Sequence, residues 1–114
     1  MADHEGSIRS IDASNDGLVT SSNDGTVHFR TQTGETIAVC THPLQADGHP
    51  PYVLQTRFHT PAGEVISAGE DGSVCVWQNG QLLQTIQHPA GVWCVLSLAN
   101  GDFATGGHDS IIRI

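Results

Sequence analysis

The sequence predicts an all-β fold built of repeated four-stranded units, and three observations predict it. A histidine precedes an acidic turn by a similar interval three times: His4 and Asp24, His49 and Asp71, His88 and Asp109. These histidines lie 45 and then 39 residues apart, the period of propeller blades. Thirteen glycines punctuate short apolar runs, and no stretch carries helical periodicity.

The first unit, expected over residues 4–40, opens with an alternating strand through Ile8 and Ile11. Asn15-Asp16-Gly17 turns it into Leu18 to Ser22, and Asn23-Asp24-Gly25 reverses it into Thr26 to Phe29. A third reversal at Gln32 to Glu35 leads to Thr36 through Cys40, which completes four short strands. Residues 41–47, with His42 and Pro43, read as an insertion loop between units.

The second unit, residues 48–87, repeats this order. Val53 follows His49 by four residues, as Ile8 follows His4, and Pro61-Ala62-Gly63 supplies the first turn. Val65 to Gly69 is the next strand, Glu70-Asp71-Gly72 the next turn and Ser73 to Trp77 the third strand. Asn79-Gly80 is a strong hairpin signal before Leu82 to Ile86. The third unit, residues 88–114, places Val92 at the same offset, turns at Asn100-Gly101 and runs through Phe103 to Asp109. Ile114 corresponds to Phe29 and Val76, inside a third strand, so this unit is expected to be incomplete. Repeat units bury their faces against neighbours, so two blades and most of a third are expected to be part of a larger propeller.

Twelve acidic residues stand against four arginines and no lysine, a net charge of -8. Such a field repels phosphate backbones and suits a basic protein surface, so nucleic acid is excluded as a partner. Cys40, Cys75 and Cys94 form no C-x-x-C pair and read as small buried hydrophobes. The start carries no basic and apolar leader, and no run is long enough to span a bilayer. No membrane partner and a cytoplasmic or nuclear location are therefore expected.

The sets Thr20/Asp24, Ser67/Asp71 and Thr105/Asp109, with the histidines and Trp77, resemble the WD-repeat signature along essentially the whole chain. The resemblance implies that histidine, strand hydroxyl, turn aspartate and tryptophan brace each blade by hydrogen bonds. His49, Ser67, Asp71 and Trp77 supply all four in the second unit. The first has His4, Thr20 and Asp24 with Arg30 in the tryptophan position, and the third has His88, Thr105 and Asp109 and stops before that position.

Ser67 to Val74, Trp77-Gln78-Asn79-Gly80, Gln84-Thr85-Ile86, Pro89 to Cys94, Asn100-Gly101-Asp102 and Ile111-Ile112-Arg113 are similar to the closing blades of the phospholipase A-2-activating protein family. That likeness implies a ubiquitin-binding propeller in an adaptor of the valosin-containing AAA ATPase, with the ATPase bound through domains absent here. It also implies a non-catalytic role in ubiquitin-dependent protein turnover. Ubiquitin presents a basic and apolar face, to which an acidic chain is complementary.

Repeated histidine, hydroxyl and aspartate imitate a hydrolytic triad, but an active site is needed once, whereas a bracing network is needed in every unit. No histidine pair has the spacing of a metal site, so neither metal nor cofactor is expected. Partner contacts are expected on end loops, at Asn23, Glu70 and His108 before the turn aspartates, and at Tyr52 and Trp93 near the blade starts. Trp93 either anchors a partner or is wedged between blades.

Overall fold

A computed structural model describes residues 4–15, 17–59, 64–78, 80–98 and 102–114. The first sheet runs in chain order through β1 (Ile8–Ser14), β2 (Gly17–Ser22), β3 (Thr26–Arg30) and β4 (Thr36–Thr41). The second repeats it with β5 (Val53–Phe58), β6 (Val65–Gly69), β7 (Ser73–Gln78) and β8 (Gln81–Gln87). The third holds β9 (Val92–Ser97), β10 (Phe103–Gly107) and β11 (Ile112–Arg113). All described pairings are antiparallel, so the expected all-β fragment with four, four and three strands is what forms. Asp16, Pro61-Ala62-Gly63, Asn79 and Asn100-Gly101, expected in turns, lie outside the described residues.

The same turn joins the second and third strands of every sheet. Gly25, Gly72 and Ser110 donate backbone N–H groups to Ser22, Gly69 and Gly107 at 3.3, 3.1 and 3.1 Å. Gly72 adopts φ of 90°, and a Cβ there would lie 2.6 Å from the His88 carbonyl oxygen, so only glycine fits. Ser110 takes the equivalent place with φ of 67°, a conformation that serine adopts at some cost.

The sheets stand side by side with first strands adjacent, β5 against both β1 and β9. Ser10 Oγ accepts the Thr56 N–H and Asp12 Oδ2 the Phe58 N–H, each at 2.9 Å, while Gln55 Oε1 accepts the Val95 N–H at 2.7 Å. Side chains of one inner strand thus satisfy backbone donors of the next, where no ladder bond is made.

Strand alternation loads both faces of the second sheet. Val65, Ser67, Cys75 and Trp77 point to the first sheet, with Val19, Val27, Cys40 and Val53 buried there. Ile66, Ala68, Val74 and Val76 point to the third, against Val92 and Val95. Each such aliphatic side chain contributes roughly 1.5 to 3 kcal/mol by leaving water. The first and third sheets are covered on one face only, and Ile11, Leu96 and Ile112 on their other faces are more than half exposed.

Candidate functional site

Each polar set begins at the turn aspartate, whose Oδ1 accepts the backbone N–H two residues on. The distances are 3.0 Å from Thr26, 3.0 Å from Ser73 and 3.2 Å from Ile111. In the second sheet the Ser73 hydroxyl donates to the same Asp71 oxygen at 2.5 Å. Its proton spent, Ser73 Oγ accepts from His42 Nδ1 at 3.0 Å, which leaves His42 Nε2 to accept from the Ser67 hydroxyl at 2.6 Å. The Trp77 indole N–H donates to Ser67 Oγ at 2.8 Å. One directed chain of neutral donors runs from Trp77 to the carboxylate, and it fixes the His42 tautomer.

His42, not His49, therefore braces the second sheet. His49 is exposed, and its backbone N–H donates to Asp47 Oδ1 at 2.9 Å. A second relation confirms the equivalence, because the N–H groups of His42 and His88 donate to the carbonyls of Gly25 and Gly72 in the preceding sheet at 2.9 and 2.8 Å. Thr41, read as loop, is the last residue of β4. The extra residues follow the bracing histidine and do not precede it. From His42 to Asp71 the interval is 29 residues, against 20 and 21 in the other units, whereas His49, inside that loop, lies 22 residues before Asp71 and so matches the repeat by spacing alone. The sequence signal that marks the right histidine is its place two residues after the last apolar residue of the fourth strand, Cys40 before His42 and Ile86 before His88; a following proline does not discriminate, since Pro50 follows His49. Burial drives the His42 imidazole down to about 4, with the Asp71 charge opposing, so the ring is neutral as the relay requires.

In the first sheet His4 Nδ1 lies 3.0 Å from Thr26 Oγ1 and 3.2 Å from Asp24 Oδ2, and Nε2 lies 2.8 Å from Thr20 Oγ1. Arg30 takes the tryptophan's part. Its Nε donates to Thr20 Oγ1 at 3.4 Å, its Nη1 to Thr36 Oγ1 at 2.9 Å and its Nη2 to His28 Nδ1 at 2.9 Å. Burial raises the Asp24 carboxyl, but donation from the Thr26 hydroxyl and the Glu5 and Thr26 backbones, helped by His4, outweighs it and holds it at about 2. In the third sheet His88 Nε2 lies 3.1 Å from Thr105 Oγ1, but Ile111 stands where Thr26 and Ser73 stand. His88 Nδ1 is consequently buried without a partner among the described residues, and Asp109 turns to Arg113 instead, Nη2 to Oδ2 at 2.8 Å.

The five residues expected to meet a partner gather at one end of the sheets, where the first strands begin. Asn23, Glu70 and His108 occupy equivalent places, with backbone N–H groups donating to Ser7, Tyr52 and Gly91 at 2.9, 2.8 and 2.8 Å. Arg9 donates to Asn23 Oδ1 at 2.6 Å and its guanidinium lies 5.8 Å from the centre of the Tyr52 ring. Trp93 is 53% exposed, tilted 6.0 Å from His108, and is not wedged between the described sheets. No group of metal-ligating side chains occurs among the described residues.

The family model "WD domain, G-beta repeat" matches residues 1–29, 34–78 and 80–114, nearly the whole chain in three segments. The ubiquitin homeostasis protein lub1 of Schizosaccharomyces pombe is 31% identical over 112 residues, which are 97% of this chain and 15% of that protein. The WD40 beta propeller domain of Doa1 superposes with a TM-score of 0.84 at 18% identity, over 97% of this chain and 36% of that one. The computationally designed Ika8 protein superposes with a TM-score of 0.77 at 23% identity, over 96% of this chain and 33% of that one. The chain thus spans about a seventh of its curated relative and about a third of each solved chain, and the two superpositions speak for the fold alone.

Proposed function

The chain belongs to the WD-repeat family, and from that premise we propose that it is a non-catalytic scaffold that binds ubiquitin or ubiquitinated proteins through the end surface of its sheets. The observation that carries this reading is the surface itself. Tyr52 and Trp93 are held there half-exposed, flanked by Arg9, Asn23, Glu70 and His108, on a chain of net charge -8. Rigid aromatics with a polar surround are what anchors a protein interface, and acidity favours encounter with a basic partner. The 31% identity to a protein named for ubiquitin homeostasis points to ubiquitin within that class. The histidine, hydroxyl and aspartate sets support a non-catalytic role, because the first two are consumed in internal bonds and recur sheet by sheet. In this reading the chain serves ubiquitin-dependent protein turnover in the cytoplasm or nucleus, and the valosin-containing AAA ATPase is reached through domains other than these sheets.

Titrating the isotope-labelled chain with monoubiquitin tests this. Shifts are expected at the Trp93 indole and at the Tyr52 and His108 amides, and Trp93→Ala weakens them. A spectrum unmoved at millimolar ubiquitin removes the reading and leaves a WD-repeat scaffold for another protein.

A further inference from the structure

The three turn aspartates agree at Oδ1 and differ at Oδ2. Asp24 Oδ2 accepts the Glu5 backbone N–H at 2.9 Å, and Asp109 Oδ2 accepts from the Arg113 guanidinium at 2.8 Å. Asp71 Oδ2 has no hydrogen-bond donor among the described residues, both bonds to that carboxylate going to Oδ1. The sequence supplies the reason. The residue after the bracing histidine is Glu5 in the first unit but Pro43 in the second and Pro89 in the third, and proline has no N–H to give. Arg113 makes good the loss in the third sheet. At the corresponding place of the second stands Cys75, a buried thiol.

That open oxygen belongs to a residue on the wall of a cleft. The extra loop 43–50, closed on itself by Gln45 N–H to His49 O and Gly48 N–H to Gln45 O at 3.0 and 2.9 Å, runs past the second sheet. Between them lies a space of about 370 Å³, with Pro43, Leu44 and Ala46 on one side and Asp71, Thr85 and Gln87 on the other. Leu44 is 61% exposed there. The Gln87 amide is already engaged with the carbonyls of Asp71 and His88 at 2.9 and 3.2 Å and does not compete for Oδ2.

We propose that this cleft seats an arginine side chain of a partner protein, the guanidinium donating to Asp71 Oδ2 and the alkyl stem lying along Pro43, Leu44 and Ala46. Arg113 on Asp109 displays the same pairing within the molecule. An acidic chain draws a cationic side chain in, and a guanidinium forms a stronger bond to carboxylate than a neutral donor can. The inference does not depend on the partner being ubiquitin, and a different surface carries it.

The test titrates the labelled full chain with the capped tripeptide Gly-Arg-Gly and with the same peptide carrying citrulline in place of arginine. Saturable shifts are expected at the Leu44, Ala46 and Thr85 amides, with citrulline about tenfold weaker, the loss of a charge-assisted bond. Asp71→Asn is expected to abolish that preference. Because Asp71 also holds its turn, Pro43→Ala is the second variant. It restores a backbone N–H where Glu5 has one, and is expected to weaken arginine binding several-fold with the rest of the spectrum unchanged. Absent saturable shifts, equal affinity for citrulline, or binding indifferent to Pro43→Ala each overturns the proposal.

Discussion

Replacing His42 by alanine is expected to cost far more than replacing His49, although the two histidines stand seven positions apart in one connection. His42 is 1% exposed, and its loss opens a cavity the size of an imidazole beside Trp77. It also strands the Ser67 hydroxyl, whose acceptor at 2.6 Å disappears. A large-to-small change in a core combined with an unsatisfied buried donor costs about 3 to 5 kcal/mol. An exposed residue of the kind His49 represents stays within about 0.5 kcal/mol. Urea denaturation followed by tryptophan fluorescence reads the difference as a midpoint lowered by about 2 M for His42→Ala, at slopes typical of small domains, and unmoved for His49→Ala. The pH dependence provides a second readout. The folded imidazole titrates at about 4, below its ordinary value of 6.5, so the unfolded chain binds the proton first as pH falls. Stability from this group is complete above about 6.5 and declines toward pH 4, by about 3 kcal/mol in all. That decline is expected to vanish in His42→Ala. Equal losses from the two substitutions, or a pH slope that survives the removal of His42, would refute the assignment.

Two further outcomes are expected. Ile111→Ser gives His88 Nδ1 the hydroxyl that Ser73 gives His42, and because Ile111 is itself half-exposed the exchange is expected to stabilise by about 1 kcal/mol, read as a melting temperature several degrees higher; an unchanged or lower value contradicts it. Burial pushes the thiols of Cys40 and Cys75 up to about 11, whereas Cys94 is exposed, so iodoacetamide at pH 8 is expected to modify one cysteine in the native chain and three in urea. Mass spectrometry distinguishes these, and native labelling of Cys75 at the rate of Cys94 would count against the packing described.

Strand order and the turn aspartates were legible in the sequence because they are local. Asn23-Asp24-Gly25 and Glu70-Asp71-Gly72 each carry their own turn chemistry within a few residues. The bracing histidine was harder, since it reaches its hydroxyl partners across an interval that a surface loop can lengthen without disturbing the sheet. Counting back from Asp71 therefore leads to His49, while the place of His42 directly after the fourth strand, two residues beyond Cys40 as His88 is beyond Ile86, is the better clue. That Arg30 stands where Trp77 does was visible in register. Its three donated bonds to Thr20, Thr36 and His28 were not, because they depend on which side chains the twist brings together. Nor could alternation alone decide whether Trp93 faced solvent or a neighbouring sheet.

The indole, hydroxyls and imidazole that brace the second sheet lie on the face that the first sheet covers. Reinforcement and seam are thus made from the same atoms, and a lesion there loosens the blade before it as well as its own. Damage should spread backward along the chain more readily than forward, which gives this array of near-identical modules a grain. Tolerance to substitution would follow that grain, lowest at the joints and highest on the outermost strands.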